Sequence, residues 1–367
     1  MSLLKKLFSK KEKEQAITSY QDFWNWFLLH EKTFHKVVAS GDSNRLSKEF
    51  FDVIGPKLDQ IKKGVFYLSG MLNDTTADLI LTPDGNLKNF YLVEELVAAS
   101  PKLPNWKFQA FKPNFGFNDS GIEMYNYKFS TENMYFYAEN DQEYPDEISI
   151  TIVHDDLSEE NKSEIINGCY IFLDNYLGEL KFATLIDVVH FKRKEEATQE
   201  LVSLDKLDSF LTWREKEFVE KYEGLRRDTE NDNYGSFETT LKNGSPFMAI
   251  MNTDLLNWDA KASHPWILRL KIPYDGAENN GFPNKDVYQL LNDFEDELML
   301  SLKDEEGYLN IGRETGDNLR EVYFACKDYK KPCKVTDQII ENYKGKLEVD
   351  YEMYKDKYWK YFNNYIQ

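Results

Sequence analysis

The chain has 367 residues, 41% of them hydrophobic, with 25 Phe, 23 Tyr and 7 Trp, and a formal net charge of −19. That length and apolar content exclude a disordered chain and suffice for two packed cores, so two domains are expected. The acidic balance argues against nucleic acid as a partner, because phosphate contacts need clustered Lys and Arg; it suits a soluble cytoplasmic protein, and a basic protein as partner. Three scattered cysteines (Cys169, Cys326, Cys333) include no CxxC pair and read as buried thiols of a reducing compartment.

Residues 1–17 are Lys-rich and lack the apolar run of a signal peptide, and they are expected to form a basic, solvated tail. The alternative is weak membrane-surface association through Leu3, Leu4, Leu7 and Phe8, flanked by Lys5, Lys6, Lys10 and Lys11. No stretch is long and apolar enough to predict stable membrane insertion. Phe23, Trp24, Phe27, Leu28, Phe34 and Val38 recur at helical spacing over residues 20–39, with Ser19 as N-cap and Gly41 as stop. A second helix is predicted over 45–62, kinked or broken at Pro56. Strands follow at 65–72 and 77–82, the second closed by Pro83-Asp84-Gly85, then a helix at 87–99 and a strand at 106–111.

Residues 114–133, rich in Gly and Asn, read as a long loop or as short irregular strands. Strands at 134–138 and 148–153 flank an acidic loop containing Pro145; a helix capped by Ser158 runs to Leu177, and 184–191 reads as a strand buried on both faces. The charged stretch 192–203 is the expected boundary, giving an N-terminal domain over 18–195 and a C-terminal domain over 204–367. The second half begins with a helix at 207–225, then a hairpin around Asn243-Gly244. From Trp266 onward the predicted order is strand, helix, strand, strand, helix, strand: the split βαβ, ferredoxin-like plan. The N-terminal half gives a comparable succession if 77–82, 106–111, 148–153 and 184–191 are its core strands. Phe23-Trp24-Asn25-Trp26 and Phe210-Leu211-Thr212-Trp213 echo each other at the start of two helices. The expected fold class is therefore α/β of the α+β type, with two domains that are each a mainly antiparallel sheet with helices on one face.

Few residues stand in patterns that carry chemistry. His154-Asp155-Asp156 ends a strand without a second ligand group at metal spacing. His30 and His35 are five apart, off a common helical face, and 228–235 fails the calcium-loop pattern because its Gly falls at the wrong position. No metal, cofactor or catalytic residue is expected. The hairpin at 308–326 is more specific. If residues 316–318 form its loop, Glu314 faces Arg320 and Arg313 faces Glu321, giving one opposite-charge pair on each sheet face. The functional alternative is that an Arg fork reads an anionic group on a partner; Arg313, Arg320 and Tyr323 are the candidate binding residues.

The C-terminal region resembles the bacterial family catalogued as domain of unknown function 695. The resemblance rests on FETTLKNGSPFMAIM from Phe237, Gly281-Phe282-Pro283, a helix carrying Leu291, Glu295 and Asp296, Gly312-Arg313-Glu314-Thr315-Gly316-Asp317, Arg320-Glu321-Val322-Tyr323-Phe324, and Asp356 with Trp359. Gly is expected near Asn318, where this chain departs from the pattern. At fold level the resemblance extends to the B-type regulator of ribonuclease E, an inhibitor that works by binding. It implies architecture, and by analogy a protein-binding or regulatory module without catalysis of its own. The alternatives are a hydrolase or transferase with an interdomain site, and an immunity-type inhibitor of a cationic toxin.

Overall fold

The computed structural model describes residues 16–116 and 121–366; the predicted basic tail falls almost wholly outside them. The fold is α/β, built on mainly antiparallel sheets, and the chain divides into two compact units, one ending at Lys112 and the other beginning at Pro113.

In the first unit, helix α1 (Tyr20–Ala39) starts where the Ser19 hydroxyl accepts the Asp22 N–H, and it buries Phe23, Trp24, Phe27 and Phe34. Pro56 is accommodated within α2 (Asp52–Ile61); the departure from regular helix is a wide π turn at Leu46–Phe51, immediately before it. Strands β1 (Phe66–Leu68), β2 (Ala77–Thr82) and β3 (Trp106–Ala110) form a sheet in that order. Helix α3 (Phe90–Ala98) is the crossover that allows β2 and β3 to run parallel.

The second unit holds two larger sheets. Strands β4 (Ile122–Met124) and β5 (Tyr127–Phe129) form a small hairpin, and β6 (Met134–Glu139), β7 (Ser149–His154), β8 (Val188–Lys192) and β9 (Val202–Ser203) a sheet of order β8-β7-β6-β9. Its core packs Phe136, Ile150 and Ile152 with Cys169 and Phe172 of α4 (Lys162–Leu177) and with Leu207 and Leu211 of α6 (Leu207–Tyr222). Residues 184–191, expected as one strand, begin as the end of helix α5 (Glu179–Leu185). The four strands expected to share one N-terminal sheet are thus divided between the two units. The expected boundary at 192–203 lies inside the second: Val202 and Ser203 pair with Phe136 and Tyr135. The charges there bond locally, Arg193 to Glu196 and Lys194 to Asp155, rather than marking a linker.

The final sheet has order β10-β11-β13-β14-β12-β15, from β10 (Tyr234–Thr240), β11 (Pro246–Asn252), β12 (Trp266–Pro273), β13 (Tyr308–Gly316), β14 (Leu319–Cys326) and β15 (Asp350–Lys355). With α7 (Lys285–Ser301) and α8 (Lys330–Asn342), the last four strands are the expected β-α-β-β-α-β unit, every pair antiparallel; β10 and β11 extend it past β13. Both helices cover one face: Arg313 reaches Glu295 of α7, and Tyr351 reaches Asp337 of α8. The opposite face carries Met251, Ile267, Ile311 and Ala325 beneath Trp359 and Phe362. All three cysteines are buried free thiols. Among the described residues no helix is long and apolar enough to cross a membrane.

Candidate functional site

The hairpin places the candidate binding residues, and its register differs from the expected one. Asp317 and Asn318 both take left-handed conformations, φ 50° and 66°, so the loop has two residues rather than three. Gly316 therefore pairs with Leu319, Thr315 with Arg320, Glu314 with Glu321 and Arg313 with Val322. The predicted cross-strand pairs Glu314–Arg320 and Arg313–Glu321 do not form. Asn318 stands where Gly was expected because its side chain works there: Oδ1 accepts the Gly276 N–H, while the Asn318 N–H bonds the Gly281 carbonyl. Gly281 is left-handed (φ 83°), and a Cβ there would meet the Asp317 backbone at 3.0 Å.

The one-residue shift sorts the charges by face. On the helix face, Arg313 Nη1 lies 3.0 Å from Glu295 Oε2. Arg320, 1% exposed, donates to Asn292 Oδ1 at 2.8 Å and Thr315 Oγ1 at 3.2 Å, with Glu295 at 3.9 Å and the Tyr288 ring over its guanidinium. Burial, the largest influence, lowers the Arg320 pKa; Arg313 adds to this and Glu295 opposes it. On the other face, the Tyr323 hydroxyl lies 2.9 Å from Glu314 Oε2 and 3.0 Å from Glu321 Oε2. Tyr361 and Tyr365 also donate to Glu314, and Arg269 binds Glu321 at 2.7 Å. Burial first, then the Glu321 charge, push the Glu314 pKa up against the hydrogen bonds of the three tyrosines. Arg313 and Arg320 thus share one cluster, and Tyr323 belongs to another across the sheet.

The acidic loop between β6 and β7 lies against an open crevice. A cavity of about 340 Å³ is lined by Glu139, Asp141, Tyr144, Phe210, Trp213 and Arg214, and one of about 840 Å³ that shares the loop residues adds His190, Lys192 and Lys360. The base of the loop is pinned. Arg214 donates to the Pro145 carbonyl at 2.7 Å, and Lys360 lies 2.7 Å from Glu147 and 3.8 Å from the Tyr144 ring centroid. Asp146 accepts from Lys221, Tyr222 and Tyr358; although burial pushes its pKa up, these bonds outweigh it and hold the carboxyl below its ordinary value. The tip residues Asp141 and Glu143 are exposed, and among the described residues neither has a cation within ion-pair distance. Trp213, 53% exposed, lines the same cavity as Asp141. The sequence showed the acidic loop but treated Trp213 only as one residue of the predicted helix at 207–225. The signal for its exposure was spacing: Leu207 and Leu211, four apart, are the fully buried positions of α6, and Trp213 lies off their line.

His154 is 1% exposed and structural in its bonding: its Nδ1 accepts the Asp156 N–H, so Nε2 carries the proton toward the Lys128 carbonyl at 2.9 Å, and burial lowers its pKa. Among the described residues no group of three or more His, Cys, Asp or Glu is arranged to hold a metal ion. Residues 236–366 match the family model described as a family of unknown function, DUF695. The match begins within β10 and takes in both ionic clusters of the last sheet, while the acidic loop and Trp213 precede it. No curated protein and no solved structure matches the chain.

Proposed function

We propose that this chain is a protein-binding or regulatory module, without catalysis of its own, that engages a basic partner through the acidic, aromatic-rimmed crevice at residues 139–147. The observation that carries this reading is the exposed Trp213 lining the same cavity as the exposed Asp141 carboxylate, with Glu143 exposed two residues on; each carboxylate accepts one hydrogen bond from its own loop and, among the described residues, pairs with no cation. An aromatic face next to carboxylates suits a Lys or Arg side chain, which gains a ring contact and an ion pair together. The chain already uses that chemistry internally, where Lys360 rests on the Tyr144 ring and pairs with Glu147. A net charge of −19 adds long-range attraction for a cationic partner. By contrast, Arg313, Arg320 and Tyr323 have their hydrogen-bonding groups engaged within the fold, which favours a structural part for them.

The test is calorimetric titration of the full chain with a Lys/Arg-rich peptide and with a Glu-rich peptide of equal length. Only the basic peptide should bind, more weakly as salt rises, since exposed ion pairs are screened. The double variant Asp141→Lys, Glu143→Lys and the variant Trp213→Ala should each weaken binding about tenfold without lowering the melting temperature. Equal binding of both peptides, or binding untouched by these changes, would refute the proposal.

A further inference from the structure

The two edges of the six-stranded sheet are built differently. Edge strand β15 carries Asp350, Glu352 and Lys355; Glu352 pairs with Lys271, and Lys355 with Asp187. Charges and contacts of this kind protect an edge from pairing with another chain. Edge strand β10, YGSFETT, has one charge, no proline and no bulge, and it pairs with β11 in unbroken register over all seven residues. Its other side faces no strand, and among the described residues no backbone group of 234–240 bonds outside the β10–β11 ladder. Tyr234, Ser236, Glu238, Thr239 and Thr240 are exposed. The remaining open edges among the described residues belong to shorter strands, of two to five residues.

We infer that β10 is a self-association edge, on which a second copy of this chain adds its own β10 antiparallel to form one continuous twelve-stranded sheet about a two-fold axis at Phe237. The occupant follows from the order of side chains. Only with the axis at Phe237 are all seven residues paired, and then Tyr234 meets Thr240, Gly235 meets Thr239, Ser236 meets Glu238 and Phe237 meets itself. No like charges oppose, and an aromatic meets a β-branched residue twice, a favourable cross-strand pair. A two-fold perpendicular to the sheet keeps each face on its own side. Phe237, which packs with Tyr365 (ring centroids 5.1 Å apart) at the rim of the core, therefore continues that apolar layer into the second copy. This inference does not depend on the proposed basic partner.

Sedimentation equilibrium of the full chain over a wide concentration range is the test. The fitted mass should rise from 43.3 kDa toward twice that value. Ser236→Glu sets like charges opposite Glu238 at two symmetric places and should weaken the dimer about tenfold, whereas Ser236→Lys should tighten it. Because Ser236 is exposed, thermal unfolding of dilute samples should match for both variants, and amides 234–240 should exchange more slowly in concentrated wild-type protein. A 43.3 kDa species at every concentration would overturn the inference. So would a dimer that Ser236→Glu and Ser236→Lys fail to move in opposite directions.

Discussion

Replacing Tyr323 by Phe removes one hydroxyl from between two carboxylates, and the consequences depend on pH in a defined direction. The hydroxyl proton can serve only one of Glu314 and Glu321, which face each other across the β13–β14 ladder. Both carboxylates contact the same hydroxyl, at 2.9 and 3.0 Å, so their nearest oxygens are at most about 6 Å apart, where two charges repel by about 3 kcal/mol or more at an effective dielectric near 20. Arg269 neutralises Glu321, so the strain falls on Glu314, whose pKa is raised by burial first and by Glu321 as well. At pH values between the ordinary glutamate pKa and the raised one, the folded state therefore holds a proton that the unfolded chain has released. Stability from this group is present below the ordinary glutamate pKa and is lost as pH rises through the raised folded value. Tyr323→Phe should cost about 1.5–3 kcal/mol, the range for a hydrogen bond to a charged group, and more at pH 8 than at pH 5. Glu314→Gln should be neutral or stabilising at pH 8, because an amide can meet the tyrosine hydroxyls without a charge. Urea denaturation of both variants at the two pH values measures this. A Glu314→Gln variant destabilised by more than about 2 kcal/mol at pH 8, with the wild-type pH dependence intact, would refute the reasoning.

Trp359 is 1% exposed, and its Nε1–H donates to the His264 carbonyl at 3.0 Å, so Trp359→Ala should cost about 3–5 kcal/mol; an unchanged denaturation midpoint would contradict that placement. Burial, with the charges of Lys327 and Arg226, pulls the pKa of His264 down to about 4, so its neutral form contributes fully above the unfolded value near 6.5. That contribution, about 3 kcal/mol at most, is lost as pH falls from 6.5 toward 4; His264→Gln should flatten the stability profile there, and an identical slope would exclude the histidine as its source.

The last βαββαβ unit was legible because its elements are long, strongly patterned and separated by clear turn residues. Its helices and strands lie close to where periodicity put them, and Trp359 is buried as its aromatic neighbourhood implied. The hairpin register was not legible. A two-residue and a three-residue loop differ only in whether Gly316 belongs to the strand, and Gly316, at φ 158°, is extended there. That one residue decided whether Glu314 faced an arginine or another glutamate. Residues 184–191 misled for a related reason: a continuous apolar run fits a buried helix end as well as a strand. The division at Lys112 has no strong composition mark, whereas the charge run at 192–203 looks like a linker and is tied down by local ion pairs. The crevice at the acidic loop joins residues far apart in sequence, and no local pattern announces such a meeting.

The segment that closes the chain shows why the matched region and the acidic loop are mechanically one. Residues 355–362 alternate their allegiance. Trp359 and Phe362 turn into the core of the last sheet, while Lys355, Lys357, Tyr358 and Lys360 reach back to the preceding sheet and its loop. Trp359 itself is held in a left-handed backbone conformation, φ 54°, uncommon for a residue of its size. The reversal there sends consecutive side chains to opposite bodies. Lys355 and Lys357 share Asp187, and Lys357 is buried deeply enough that its pKa falls to about 8, by burial first and by Lys355 next, with Asp187 opposing. Such a site tolerates little rearrangement, because moving either lysine leaves a buried charge without its partner. Tyr358 and Lys360 then fix Asp146 and Glu147, the base of the loop whose tip carries Asp141 and Glu143. The last sheet therefore sets the posture of the crevice without lining most of it. Loss of the Trp359 anchor should disorder the loop as well as the core, and binding at the loop should be as sensitive to the fold of the last sheet as to the loop's own charges.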